Sequence, residues 1–231
     1  MSESDDLIRK LRRPPSVANW VRYNYKRVND TARALLAFVL GRPRSSLQAV
    51  YRIIGDAVHF GRTYEESMRS VAAISSPRTR AMAYEIVPAF FRYNGREKLD
   101  GLNVFPGLKE NYPVGRNVSI PVEPTFTILK DGQLKPVFVV GWVAVALDDY
   151  QKRIMSTIVT ESILRLSDFQ GSEAIFIFFP RIKGTKERYV RVWTTADYAP
   201  LDHDEMKQQL QCYGQALEMV EKQLRSMFED E

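Results

Sequence analysis

Two short segments restrict the fold more than anything else in the chain: Val137–Leu147, VFVVGWVAVAL, and Ala174–Ile182, AIFIFFPRI. Side chains of a strand alternate between the two faces of its sheet, so a run that is apolar at odd and even positions alike must be covered on both sides. Helical layers above and below the sheet follow, which makes the expected class α/β, an α/β/α sandwich around a central mixed sheet. Gly141, inside the first run, predicts a bulge or a close backbone approach. Thr125–Lys130 precedes that run across Asp131-Gly132, a strong hairpin signal. Tyr189–Thr195 is a further, less apolar strand.

The remaining periodicity is helical. Residues 1–15 read as a flexible basic leader ending at Pro14-Pro15. From Ser16, apolar residues at Val17, Trp20, Val21, Val28, Ala32, Leu35, Leu36 and Val39 predict one or two amphipathic helices stopped by Gly41 and Pro43. A second helix runs from Ser45-Ser46 to Gly61, with Leu47, Val50, Tyr51, Ile54 and Val58 on one face. A third starts at Thr63, where Glu65-Glu66 suit a first turn. A helix over 79–93 carries Pro88 as a kink or end. Asp148-Asp149 opens another to about Leu166, and Leu201-Asp-His-Asp204 a last one to about Met227. Residues 101–124 are broken by glycines and prolines into β-type pieces. The expected organisation is a leader (1–15), a helical N-terminal region (16–75) and an α/β core domain (76–231).

Charge is uneven. Residues 1–100 hold 18 Lys and Arg against 10 Asp and Glu, a net of +8, and the remainder holds 15 against 18. Such asymmetry fits an anionic partner or a solvated helix face. No run of eighteen apolar residues appears, so no membrane span is expected. One cysteine, Cys212, with two histidines, His59 and His203, excludes an internal disulfide and a Cys/His zinc cage, and the expected compartment is cytoplasmic. Cys212 reads as a structural thiol, His203 as a helix-start residue and His59 as an ordinary helix residue. No phosphate loop, dinucleotide fingerprint, nucleophile elbow or HExxH motif is present.

From residue 79 the order is helix, two or three strands, helix, strand. This order resembles the core of the PD-(D/E)XK nuclease superfamily, the restriction-endonuclease-like fold, over roughly residues 79–182. The resemblance implies an acid at the start of one hairpin strand and a Glu-x-Lys or Asp-x-Lys in the next, holding Mg²⁺ against a phosphate. Here Pro124-Thr125 stands where Pro-Asp is expected and Val140-Gly141-Trp142 where Glu-x-Lys is expected. Glu123 is a displaced acid at most. Asp148, Asp149 and Lys152 fall past the strand, on the order of 20 Å from its middle at ~3.3 Å per residue, and read as a helix cap with a solvated lysine. Glu85 is a helix carboxylate that could add a ligand in an active relative, and alone it reads as a surface residue. The implied core is a degenerate one.

Three readings follow. The first is a non-catalytic binding or accessory protein, without cofactor, touching nucleic acid through Arg9, Lys10, Arg12, Arg13, Arg22, Lys26 and Arg27, with Arg33, Arg42 and Arg44 behind them. A second basic cluster, Arg181, Lys183, Lys186, Arg188 and Arg191, surrounds the Gly184 turn and extends that surface. Aromatics interleave with the first cluster at Trp20, Tyr23 and Tyr25, which suits base stacking or equally a core rail with a basic outer face. The second reading is a Mg²⁺-dependent phosphodiesterase using Glu85, Glu123, Asp148, Asp149 and Lys152. The third is a protein-interaction module that forms a homodimer.

Overall fold

The computed structural model describes residues 3–41, 46–99, 101 and 108–228. Its centre is a four-stranded sheet of β3 (Phe126–Lys130), β4 (Gln133–Val140), β5 (Ile175–Phe178) and β6 (Arg191–Thr194), named after a separate hairpin, β1 (Glu110–Gly115) and β2 (Val118–Val122). The strands lie in the order β3-β4-β5-β6. The β3/β4 pair is antiparallel across the Asp131-Gly132 turn, β4/β5 is parallel and β5/β6 is antiparallel, so the sheet is mixed. Both turn residues have positive φ, the backbone a tight hairpin of this type requires.

Apolar side chains leave both faces, as the two runs dictate. Phe138, Val140, Phe176, Phe178 and Trp193 face one layer: α1 (Glu3–Leu11), α2 (Val17–Val21), α3 (Val28–Leu40), α7 (Asp149–Val159) and α8 (His203–Met227), with the β1/β2 hairpin. Val137, Val139, Ile175, Ile177 and Phe179 face the other: α4 (Gln48–His59), α5 (Tyr64–Ala72) and α6 (Pro77–Glu97). The α/β/α sandwich preceded by helices is therefore the observed class. The N-terminal helices supply part of both outer layers, α1–α3 on one side and α4–α6 on the other.

Local signals explain most boundaries. Capping boxes start α5 at Thr63/Glu66, α7 at Asp148/Gln151 and α8 at Asp202/Glu205. Pro88 does not end α6, which continues to Glu97. The helix expected to reach Leu166 turns π-helical over Thr160–Leu164, where the Ser162 hydroxyl donates to the Ile158 carbonyl.

Two expectations need correction. The leader is not loose: α1 buries Ile8 and Leu11, packs on α3 and α8, and Arg12 donates twice to Glu221 at 2.6 and 2.8 Å. The β-type pieces expected over residues 101–124 do include a strand pair over 110–122, where β1/β2 buries Tyr112, Val114, Ile120 and Val122. The strand read as Val137–Leu147 stops at Val140. There the chain passes so close to α4 and α6 that a Cβ on Gly141 would lie 2.7 Å from Leu47 Cδ1 and 2.8 Å from Ile86 Cδ1. Beyond it the apolar residues divide: Leu147 enters the core, while Val143 is 48% exposed. Arg42, Pro43 and Arg44 lie outside the described residues.

Candidate functional site

Where β4 leaves the sheet, the two helical layers part. A cleft of about 1110 Å³ opens there, walled by α2 and α3 on one side and by α4 and the start of α6 on the other. Crevices at the carboxyl ends of parallel strands are the usual ligand sites of open α/β sheets. The cleft is large for a small-molecule pocket, which is typically ~300–1,000 Å³. Exposed residues, among them Gln48, Arg52 and Arg78, form its rim, so it communicates with solvent.

Its chemistry is basic and aromatic. Among the described lining residues Lys10, Arg22, Arg52 and Arg78 are cationic and Glu123 is the one carboxylate, while Tyr23, Phe38, Tyr51, Phe138 and Trp142 supply rings. Arg22 is held with its guanidinium carbon 4.3 Å from the centre of the Trp142 ring. That contact is built from behind. The Gln151 side-chain amide on α7 donates to the carbonyls of Val21, Arg22 and Asn24, and Gln209 on α8 donates to the Asn24 side chain. The indole N–H of Trp142 donates to Asn19 at 3.3 Å. Across the cleft, the backbone N–H of Gly141 donates to the Tyr51 hydroxyl at 3.0 Å, and burial pushes that hydroxyl's pKa up. Lys10 donates to the carbonyls of Val39 and Gly41 and so closes the C-terminal end of α3 at the rim. Leu47 at the N-cap of α4 offers no side-chain acceptor, which leaves the positive end of that helix facing the same opening.

Beneath the floor lies a second constellation. Glu85 on α6 receives two bonds from Arg181 (2.8 and 2.6 Å) and one from Arg188 (2.9 Å). Arg188 also donates to the carbonyls of Phe179 at 2.7 Å and Trp142 at 3.0 Å, where β4 and β5 end. Burial works against ionisation of Glu85, but the two arginines outweigh it and hold its carboxyl below the usual range.

This geometry redistributes the residues singled out by sequence. Lys10 and Arg22 reach the cleft. Arg188, expected on an exposed hairpin, is 3% exposed, because its guanidinium satisfies strand-end carbonyls as well as Glu85. Arg181 is engaged with the same carboxylate, while Lys183 and Lys186 are exposed at the Gly184 turn. Arg9 pairs with Asp6, and Arg12 with Glu221. Arg13, Lys26 and Arg27 are exposed, Lys26 lying over the Tyr150 ring. Trp20 is in the core, so the interleaved aromatics are mainly a core rail.

The acids do not converge. Glu85 is tied to arginines and Glu123 stands on the cleft rim. Asp148 caps α7, and Asp149 pairs with Lys152 at 2.8 Å. Lys152, expected to be solvated, is buried and also donates to the Tyr198 hydroxyl. Thr125, at the position of the expected aspartate, accepts from the Val139 N–H at 2.9 Å. Among the described residues no group of three or more His, Cys, Asp and Glu side chains is placed to hold a metal ion.

Sequence reasoning missed Arg52, Arg78 and Trp142. Arg52 and Arg78 stand alone in the sequence; the signal was that each lies near the start of a helix following a strand-free, Ser-containing break, at Ser46 and at Ser75-Ser76.

No family model matches the chain, and no curated protein matches it. A solved structure, the crystal structure of SSO0001, aligns over 81% of this chain and 84% of that chain at 8% identity, with a TM-score of 0.34 that is too low to support an argument. Among the described residues no helix is long and apolar enough to cross a membrane.

Proposed function

We propose that this protein is a non-catalytic nucleic-acid-binding or accessory protein whose binding site is the cleft at the end of β4. The observation that carries the reading is the composition of that cleft: among the described residues that line it, four cationic side chains and five aromatic rings stand against one carboxylate. Cations neutralise phosphates and release their counterions, and aromatic faces stack on bases of any identity. The core is read as a degenerate relative of the PD-(D/E)XK nucleases. Supporting this are the sheet-forming order β3-β4-α7-β5, which follows α6 after the separate β1/β2 hairpin, Thr125 at the acid position, and Val140-Gly141-Trp142 in place of Glu-x-Lys. Of the carboxylates that the catalytic alternative names, Glu85 is an arginine partner, Asp148 a helix cap and Asp149 a lysine partner, which weighs against that alternative. A reducing cytoplasm suits the single, buried Cys212.

The test is fluorescence anisotropy of labelled DNA and RNA at low and near-physiological salt, with Mg²⁺ present, each mixture then run on a denaturing gel. Salt-sensitive binding with intact oligonucleotides is the expected result. Cut strands would overturn the non-catalytic part, and absence of binding at both salt concentrations would overturn the reading.

A further inference from the structure

We infer that the cleft takes a single strand, with one base stacked at the Trp142–Arg22 pair and adjacent phosphates met by Arg52, Arg78 and Lys10. This rests on the nucleic-acid reading above and adds the form of the ligand and the residue that reads it. Three observations separate a single strand from a duplex.

The first is shape. Duplex readers insert a projecting helix or β-ribbon into a groove about 12 Å wide, whereas the basic surface here is concave and recessed between two helical layers. The second is where the cations stand. Of the cations expected on a broad outer face able to track two backbones, Arg9, Arg12, Arg181 and Arg188 are engaged with Asp6, Glu221 and Glu85, and the exposed Arg13, Lys26, Arg27, Lys183 and Lys186 are not among the cleft's lining residues. The third is the aromatic floor. A ring in a cleft serves only bases released from pairing, because the faces of paired bases are covered by their neighbours in the stack. Trp142 is also singular: the chain has three tryptophans, and the other two, Trp20 at 1% and Trp193 at 5% exposure, are core residues. Its ring is fixed in advance by Arg22, Asn19 and Phe178, so little freedom is lost on stacking.

The intrinsic fluorescence of Trp142 makes the inference measurable. The wild-type protein is titrated with oligo-dT, oligo-U, a duplex of equal length and an abasic strand of equal charge, while tryptophan emission and anisotropy are followed. Oligo-dT and oligo-U are expected to quench the emission and bind at least ten-fold tighter than the duplex. The abasic strand is expected to bind roughly ten-fold more weakly than oligo-dT, the scale of one lost stack. The four described cations of the cleft alone account for a slope of log K against log salt of about −3. Trp142→Leu is expected to lose the quenching and roughly ten-fold in affinity, Trp142→Phe to restore most of the affinity, and Arg52→Glu to weaken binding without abolishing the quenching. Equal affinity for duplex and single strand would overturn the inference and leave the broader reading standing. So would tight single-strand binding that Trp142→Leu leaves unchanged. No binding by any ligand would remove both.

Discussion

Substituting Glu85 by alanine tests the best-defined electrostatic arrangement in the molecule. The Glu85 carboxylate is 11% exposed and the Arg188 side chain is 0% exposed, so this is a buried pair, with Arg181 adding a second, partly exposed cation. Removing the carboxylate leaves the Arg188 guanidinium in the interior with only the strand-end carbonyls for company. Breaking a buried pair from one side costs about 3–5 kcal/mol, because the remaining charge is desolvated and uncompensated. An exposed pair such as Arg9–Asp6 contributes about 0–1 kcal/mol. Against a typical total of about 5–15 kcal/mol, the loss is a large fraction of stability. Urea unfolding followed by circular dichroism is the assay. With a slope of about 3 kcal/mol/M, the Glu85→Ala midpoint should fall by more than about 1 M, while Asp6→Ala should hardly move it. The double variant Glu85→Leu/Arg188→Met should recover only part of the loss, since it removes the uncompensated charge but leaves the Phe179 and Trp142 carbonyls without their donor. A Glu85→Ala variant within 1 kcal/mol of wild type would refute the reasoning, because it would mean that Arg188 is solvated or neutralised by another route.

Three further outcomes follow from the same structure. Gly141→Ala should cost about 1–3 kcal/mol by overpacking, since the added methyl collides with Leu47 and the fully buried Ile86; thermal unfolding measures this. Stability should fall as pH drops below the ordinary glutamate value of 4.5: Glu85, where two arginines outweigh burial, and Glu173, bonded to Lys135, both have lowered pKa values. Their contribution is complete above 4.5 and is lost as pH falls through the lowered values, which unfolding scans between pH 7 and 3 will show. Asp148→Ala should lower stability by about 1 kcal/mol through loss of the α7 cap and leave nucleic-acid affinity unchanged, as titration alongside wild type will reveal.

What the sequence revealed and concealed has physical reasons. Doubly apolar strands declare their own covering, so the three layers were readable from Val137–Val140 and Ala174–Phe179 alone. Caps at Thr63 and Asp148 are local chemistry and were equally readable. The docking of α1 was not, because Ile8 and Leu11 pack against a layer completed by α8, and no local signal names that partner. The end of β4 was obscured because residues 142–147 serve a cleft wall and a core plug, which also select apolar side chains. Arg188 looked like any cation of a charged hairpin tip; only three-dimensional packing places it under the strand ends. As for the cleft, Arg22 and Tyr23 were noticed within the aromatic-basic stretch. Arg52 and Arg78 stand 26 positions apart, and the packing of α4 on α6 is what brings them to one rim.

The pairing of α1 and α3 with α8 also governs the order in which the molecule can be made. The buried faces of Leu35 and Val39 are ready soon after the ribosome has passed Leu40, yet α8, a principal cover of that layer, begins only at His203. About 160 residues separate the two, and at roughly 5–20 residues per second the nascent chain carries an incompletely covered apolar helix for roughly 10–30 s. The opposite layer can start earlier, because the contacts of α4–α6 with β3 and β4 span shorter separations, although β5 is needed to complete it. Until α8 arrives, α1–α3 are the part of the newborn chain most in need of chaperone cover.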